Sequence, residues 1–220
     1  MRVTPLFQNR TEAGKLLALR LKPLIHDPNA IVLALPRGGV PVGFEVAQML
    51  EADLDIFLVR KLGVPGHEEL AMGAIASGGV RVLNYTLIEQ LGLPADVIDR
   101  ITRHEREEIE RRERLYREGR SALPVDGRTI ILVDDGLATG ATMLAATRAL
   151  RTQRPKTIMV AVPVASYDAC EEFRRHVDTI VCGETPEPFY AVGAWYEDFS
   201  QTSDAEVRAL LERAAQERVS

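Results

Sequence analysis

The stretch Ile130-Ile131-Leu132-Val133-Asp134-Asp135-Gly136-Leu137-Ala138-Thr139-Gly140-Ala141-Thr142-Met143 is an apolar run that ends abruptly in two carboxylates. A loop of small residues and hydroxyls follows, and then an alanine-rich helical pattern begins. Thr129 to Val133 therefore reads as a strand buried on both faces, and Met143 to Leu150 as part of a helix. A strand of this kind delivers its acids to the C-terminal edge of a sheet, and the next helix opens with a nest of the size of a phosphate. Backbone N–H groups at a helix N-terminus favour anions, and Gly and Ala allow close approach. The two acids beside such a nest would repel a phosphate, so they are placed for hydroxyl groups or a metal. The ligand implied has a phosphate at one end and a diol in its middle, as a phosphorylated sugar does.

Outward from this stretch, strand and helix patterns alternate. Thr11 is expected to cap a helix over Glu12 to Leu24. Ala30 to Leu35 reads as a buried strand ending at Pro36-Arg37-Gly38-Gly39, with a helix over Val42 to Leu50 beyond it. Leu54 to Val59 reads as a strand that stops at Arg60-Lys61, and Leu62 to Glu69, rich in Gly and Pro, as a mobile loop. Ala71 to Ala76 and Val80 to Asn84 pair as a hairpin across Ser77-Gly78-Gly79. Pro94 to Arg120 is dense in Glu and Arg with sparse apolar anchors, the pattern of a solvated helix with one contact stripe. After the opening motif come a strand (Thr157 to Val162), a helix (Tyr167 to Arg175), a strand (Asp178 to Val181), an irregular aromatic stretch (Gly183 to Ser200) and a last helix (Asp204 to Glu217). This order predicts an α/β domain with a mostly parallel sheet flanked by helices.

The 220 residues suffice for one domain with a substantial core. A formal charge of −5, and Glu interleaved with Arg throughout the long helix, argue against a nucleic-acid partner. The first ten residues lack the apolar core of a signal peptide, and no apolar run approaches the ~20 residues needed to span a bilayer. Cys170 and Cys182 make neither a disulfide framework nor a CxxC pair, and read as small buried apolar residues of a reduced, cytoplasmic protein.

Leu132 to Met143 resembles the phosphoribosyl-diphosphate signature of type I phosphoribosyltransferases: apolar residues, two acids, a small variable pair, then Ala-Thr-Gly-Ala-Thr. Two further elements follow in family order. Pro36-Arg37-Gly38-Gly39 resembles the first loop, which holds diphosphate, and Arg60-Lys61 resembles the basic residues before the catalytic loop. The resemblance implies the type I fold over roughly Ala30 to Val181. It also implies a core of about residues 30–182, a helical insertion of about 94–120, and a hood from about 1–29 and 183–200. The implied reaction is Mg²⁺-dependent transfer of a phosphoribosyl group from phosphoribosyl diphosphate to a nitrogenous acceptor, a nucleobase first among them, with release of diphosphate. In that assignment Asp134 and Asp135 take the ribose hydroxyls, directly or through the metal, and stabilise an oxocarbenium-like transition state. Gly136, Leu137, Ala138, Thr139, Gly140, Ala141 and Thr142 wrap the 5′-phosphate. Arg37, Gly38 and Gly39, with Arg60 and Lys61, face the diphosphate.

The pattern also departs from the best-defined members. Where 6-oxopurine enzymes carry an aspartate before the Thr-Gly, this chain has Ala138, which is similar to the adenine-specific members and removes the usual proton acceptor. The whole chain is most similar to a bacterial group of predicted phosphoribosyltransferases with no assigned acceptor. Phe189, Trp195 and Tyr196 are the candidates for an acceptor pocket, by stacking on a planar base. A non-catalytic module that keeps the donor site is the alternative function. Family habit implies a homodimer, and the long helix serves equally as an interface or as a brace across its own domain.

Overall fold

Successive side chains of a strand point to opposite faces of a sheet, so a strand covered on both sides must be apolar at every position. Three segments of this chain satisfy that condition at its centre, two of them after an opening threonine. A computed structural model, which describes residues 4–218, places them side by side. They are β1 (Ile31–Ala34), β6 (Thr129–Val133) and β7 (Thr157–Val164), and the edges are completed by β2 (Asp53–Ile56) and β8 (Thr179–Glu184). All five run parallel in the order β2-β1-β6-β7-β8. Period-2 alternation then divides the core. Ile31, Leu33, Ile130, Leu132, Ile158 and Val160 pack on one face beneath α5 (Ala141–Thr152) and α6 (Tyr167–Phe173). Val32, Ile131, Val133, Met159 and Ala161 pack on the other beneath α1 (Arg10–Leu21) and α2 (Gly39–Leu50). The architecture is the mostly parallel, helix-flanked sheet that the sequence implies.

A second, antiparallel sheet holds β3 (Val59–Val64), β4 (His67–Ala76) and β5 (Arg81–Leu83). It overturns the expectation of a loose loop over Leu62 to Glu69. Leu62 and Val64 are buried, and they pair with β4 through a tight turn at Pro65-Gly66 where Gly66 takes a positive φ of 77°. Val59, expected to end one strand, instead begins another. Arg60 and Lys61 therefore lie within a strand and not after one.

Other differences are local. α1 starts at Arg10, because the Asn9 side chain accepts from Glu12 N at 3.0 Å and so caps the helix two residues ahead of Thr11. α2 begins at Gly39, earlier than Val42. α3 (Tyr85–Leu91), capped by Asn84, occupies a segment with no expected element. The cysteines differ from expectation most. Cys170 on α6 and Cys182 on β8 are joined as a disulfide, with their Cα atoms 6.5 Å apart. Twelve residues separate them in sequence, but the helix lies over its strand and brings them together.

The long helix α4 (Ala95–Arg117) runs as the sequence implies and braces the domain that carries it. Ile98, Ile109 and Tyr116 pack against the small sheet and against Val207 and Leu211 of α7 (Asp204–Glu217). Its end is tied down by a buried ion pair. Arg117 Nε donates to Asp55 Oδ1 at 2.9 Å, while Nη2 donates to the Ile56 carbonyl at 3.0 Å and Nη1 to Glu113 at 3.0 Å. Asp55 also accepts from Leu123 N at 3.0 Å. Replacing only the arginine would leave Asp55 as a buried charge without its counter-ion. Arg117→Ala is therefore expected to cost about 3–5 kcal/mol, read as a lowered urea midpoint. Replacing Arg117 and Asp55 together with apolar residues should recover much of that loss.

Candidate functional site

Parallel register brings the ends of β1 and β6 level: Ala34 lies opposite Val133. The chain leaves both strands at the same edge, so the two loops that follow must share one space. Leu35 N donates to the Val133 carbonyl at 2.9 Å, which extends the pairing one residue further. Beyond it, the turn Pro36–Gly38, which contains a cis peptide between Pro36 and Arg37, packs directly against the acid pair. A Cβ on Gly38 would collide with Asp135 Oδ2, and one on Gly39 would stand 2.8 Å from the Val133 carbonyl. These two glycines are needed for close approach of the turn, Gly38 to the Asp135 carboxylate and Gly39 to the backbone of Val133 and Asp134.

Asp134 and Asp135 end β6 as expected, half-buried and adjacent. Asp135 N donates to Asp134 Oδ1 at 2.8 Å. Burial first, and then the charge of Asp135, push the Asp134 carboxyl well above the usual carboxylate range. Burial also raises Asp135, but here Arg10 pulls the other way. Arg10 Nε donates to Asp135 Oδ2 at 2.8 Å. A second contact is made from behind: the Tyr196 hydroxyl donates to the Asp135 carbonyl at 2.6 Å.

The nest after the acids has the expected form. Gly140 takes a left-handed conformation (φ 72°) and serves as N-cap of α5 without a side-chain hydrogen bond, so no side chain at this position caps the first N–H groups of the helix. Ala138, Thr139, Ala141 and Thr142 are exposed around it. The loop is fixed on two sides. Gly136 lies so close to Val192 that it has no room for a Cβ, and Gly140 stands in the same relation to the Phe173 ring of α6. Leu137 is different. Its side chain is buried in the core, its N–H bonds Val164 O and its carbonyl accepts from Ser166 N, both at 2.9 Å. Leu137 anchors the nest and cannot lend its own N–H to a ligand. The Ser166 hydroxyl, donating to Ala138 O at 3.0 Å, holds the same turn.

The basic residues are distributed less evenly. Arg37 is one-third exposed at the turn and lies 3.6 Å from Asp204, which also accepts from the Tyr116 hydroxyl at 2.6 Å. Arg60 is not brought to the acids: its Nε donates to Glu105 of α4 at 2.6 Å. Lys61, the next residue on β3, is exposed and borders a cavity of about 510 Å³ with Val64, Pro65, Arg100 and Ile101.

The hood forms where residues 6–8 pair with 195–198. Leu6 N donates to Trp195 O at 2.9 Å and Glu197 N to Phe7 O at 2.8 Å. This assembly corrects two of the three acceptor-pocket candidates. Trp195 and Tyr196 are only 6% and 4% exposed, packed with Phe7, Ala13 and Val164. They seal the hood and have no open face for a base. Phe189 is half-buried and stacks toward Trp195 with ring centroids 6.3 Å apart. Phe199, part of the aromatic stretch but not among the three candidates, is exposed beside the acids, with the Arg10 guanidinium 3.9 Å from its ring centroid. Arg10, Ser166, Phe173 and Val192 likewise belong to the site's surroundings. Nothing local in the sequence marks them, because each reaches the acids or the nest from a distant segment.

The metal-binding capacity is modest. Among the described residues no group of three or more His, Cys, Asp and Glu side chains converges. Two adjacent carboxylates nevertheless suit Mg²⁺, which commonly takes one or two carboxylates and completes its shell with water and substrate oxygens. Asp134, and the oxygen of Asp135 that Arg10 leaves uncovered, would hold it or its water shell.

Comparison with known proteins assigns the family and the fold. The family model for the phosphoribosyl transferase domain matches residues 11–190. A Mycobacterium tuberculosis H37Rv protein provisionally named a phosphoribosyl transferase is 47% identical over 209 residues, covering 95% of this chain and 47% of that relative. The chain thus spans about half the length of the curated relatives it matches. The crystal structure of TT1426 from Thermus thermophilus superposes with a TM-score of 0.85 at 40% identity, over 94% of this chain and 98% of that one. A Neisseria gonorrhoeae protein solved with bound ppGpp shares the fold at a TM-score of 0.50 and 13% identity, over 97% and 98% of the two chains. Sequence, fold and site geometry lead to one assignment: the chain belongs to the phosphoribosyl transferase family.

Proposed function

We propose that the protein transfers the phosphoribosyl group of phosphoribosyl diphosphate to a nitrogenous acceptor, a nucleobase first among them, with Mg²⁺ and with release of diphosphate. The observation that carries this reading is the juxtaposition at one sheet edge of the acid pair, the Gly140 nest and the Pro36–Gly38 turn. A 5′-phosphate fits the nest, a ribose diol fits the acids, and a diphosphate fits the turn. All three would lie along one extended ligand.

The chemistry follows from charge. Departure of diphosphate leaves positive character on the ribose ring and concentrates negative charge on the leaving group. Ionised Asp134 and Asp135 favour the first, and Arg37 and the backbone of the Pro36–Gly38 turn favour the second. Bound Mg²⁺ would neutralise diphosphate oxygens. The buried Tyr196 and Trp195 and the half-buried Val192 exclude water from one side of the acids, which favours transfer to the acceptor over hydrolysis. Phe189, Tyr190 and Phe199 are aromatic side chains of the hood that keep exposed surface for an acceptor.

The engagement of Arg60 by Glu105 favours the second reading, a donor-binding protein that does not turn over. Release of diphosphate with any member of a panel of purines, pyrimidines and simple amines separates the two.

Asp134→Ala with Asp135→Ala should lower turnover by roughly a hundredfold or more. Donor affinity should fall with it while the fold is kept; wild-type donor binding by that variant would refute the assignment. Gly38→Ala should have a similar effect through the collision with Asp135, measured as loss of the thermal shift given by phosphoribosyl diphosphate with Mg²⁺. A pH dependence follows from Asp134. Its folded pKa is raised, so folding favours its protonated form, and that contribution to stability is lost as pH rises through the folded value. Asp134→Asn should therefore raise the melting temperature at neutral pH, with the gain vanishing below the ordinary aspartate range. Turnover by the wild type should fall on the acid side at a higher pH than an ordinary aspartate would give.

A further inference from the structure

The cation that touches the acid pair comes from the hood and not from the expected basic residues. Arg10 is the first residue of α1. A positive charge there opposes the helix dipole, whose N-terminus is itself positive, so helix stability does not account for an arginine at this place. Its side chain is only 11% exposed, and a guanidinium so covered requires partners. It has three, from two distant parts of the chain. Nε donates to Asp135 Oδ2, Nη1 donates to the Ser200 carbonyl at 2.8 Å, and the planar group lies over the Phe199 ring. Asp135 is thereby held at its carboxylate by Arg10 and at its carbonyl by Tyr196, with Gly38 closing a further side.

We propose that Arg10 is a positioning residue for the donor. By taking Asp135 Oδ2 it orients the carboxylate so that Oδ1 meets the ribose diol, and through Ser200 it ties that orientation to closure of the hood. The inference rests on the donor reading above. It makes Asp134 and Asp135 unequal, with Asp135 a hydrogen-bond acceptor fixed by a guanidinium and Asp134 without that contact. A guanidinium suits the task because its planar fork spans two acceptors and stacks on an aromatic ring, whereas an ammonium is a point charge.

The test is a binding cycle on the full chain. Wild type, Arg10→Gln, Asp135→Asn and the double variant are titrated with phosphoribosyl diphosphate plus Mg²⁺, and separately with diphosphate plus Mg²⁺. Arg10→Gln is expected to weaken the donor at least tenfold and to leave diphosphate, which lacks the ribose, unchanged. In the Asp135→Asn background the same substitution should have little further effect, because the two residues act through one contact. Arg10→Lys, which keeps the charge without the fork, should recover affinity in part; its thermal unfolding and that of Arg10→Gln verify that the fold is intact. Wild-type donor affinity in Arg10→Gln, equal weakening of donor and diphosphate, or additivity with Asp135→Asn would overturn the role of Arg10 and leave the donor assignment standing. A wild type that binds diphosphate but no donor would overturn both.

Discussion

The parallel pairing of β1 with β6 is the constraint on which the site depends. Because Ala34 and Val133 share a register, the two strands release their chains at the same height, and the turn after one is pressed onto the acids after the other. A ligand that spans both loops needs no domain closure to meet them together. Apolar side chains on both faces do not by themselves fix this register; the contacts just beyond the strand ends do. A one-residue slip would leave the side chains apolar but would separate Leu35 N from the Val133 carbonyl and move Gly38 away from Asp135.

Around this pairing the molecule places charge unevenly. Two acids sit at the sheet edge where burial disfavours ionisation, and one guanidinium from the hood opposes that at both, through its charge at Asp134 and through charge and a hydrogen bond at Asp135. The strain is local, and it is offset by packing elsewhere: two faces of a parallel sheet covered by helices, and a long helix locked by Arg117 and Tyr116. An acid kept reluctant to ionise is sensitive to positive charge, which is the charge that develops on a ribose during phosphoribosyl transfer.

Elements whose physics is local were legible in the sequence. The strand-acid-nest motif is one, since apolar continuity, adjacent carboxylates and Gly140 all lie within fourteen residues. The Pro36–Gly39 turn and the solvated α4 are others. Elements that depend on partners far along the chain were not. Leu62 and Val64 look like loop residues between glycines until β4 covers them, and Trp195 and Tyr196 look like stacking platforms until residues 6–8 close over them. The disulfide belongs to the same class, because a spacing of twelve residues carries no information about whether a helix will lie over its strand.

What the amino-acid sequence determined by itself was therefore the fold class, the order of strands and helices around the parallel sheet, and the loop chemistry suited to a sugar phosphate. Hydrophobic period, turn residues and adjacent acids are written in consecutive positions and need no third dimension. Tertiary structure alone decided which cation serves which acid. Arg10 and Asp135 stand 125 residues apart, while Arg60, the cation nearest by motif, is drawn off by Glu105. Ion pairing depends on distance in space, and that distance exists only after the sheet, the hood and the long helix have packed.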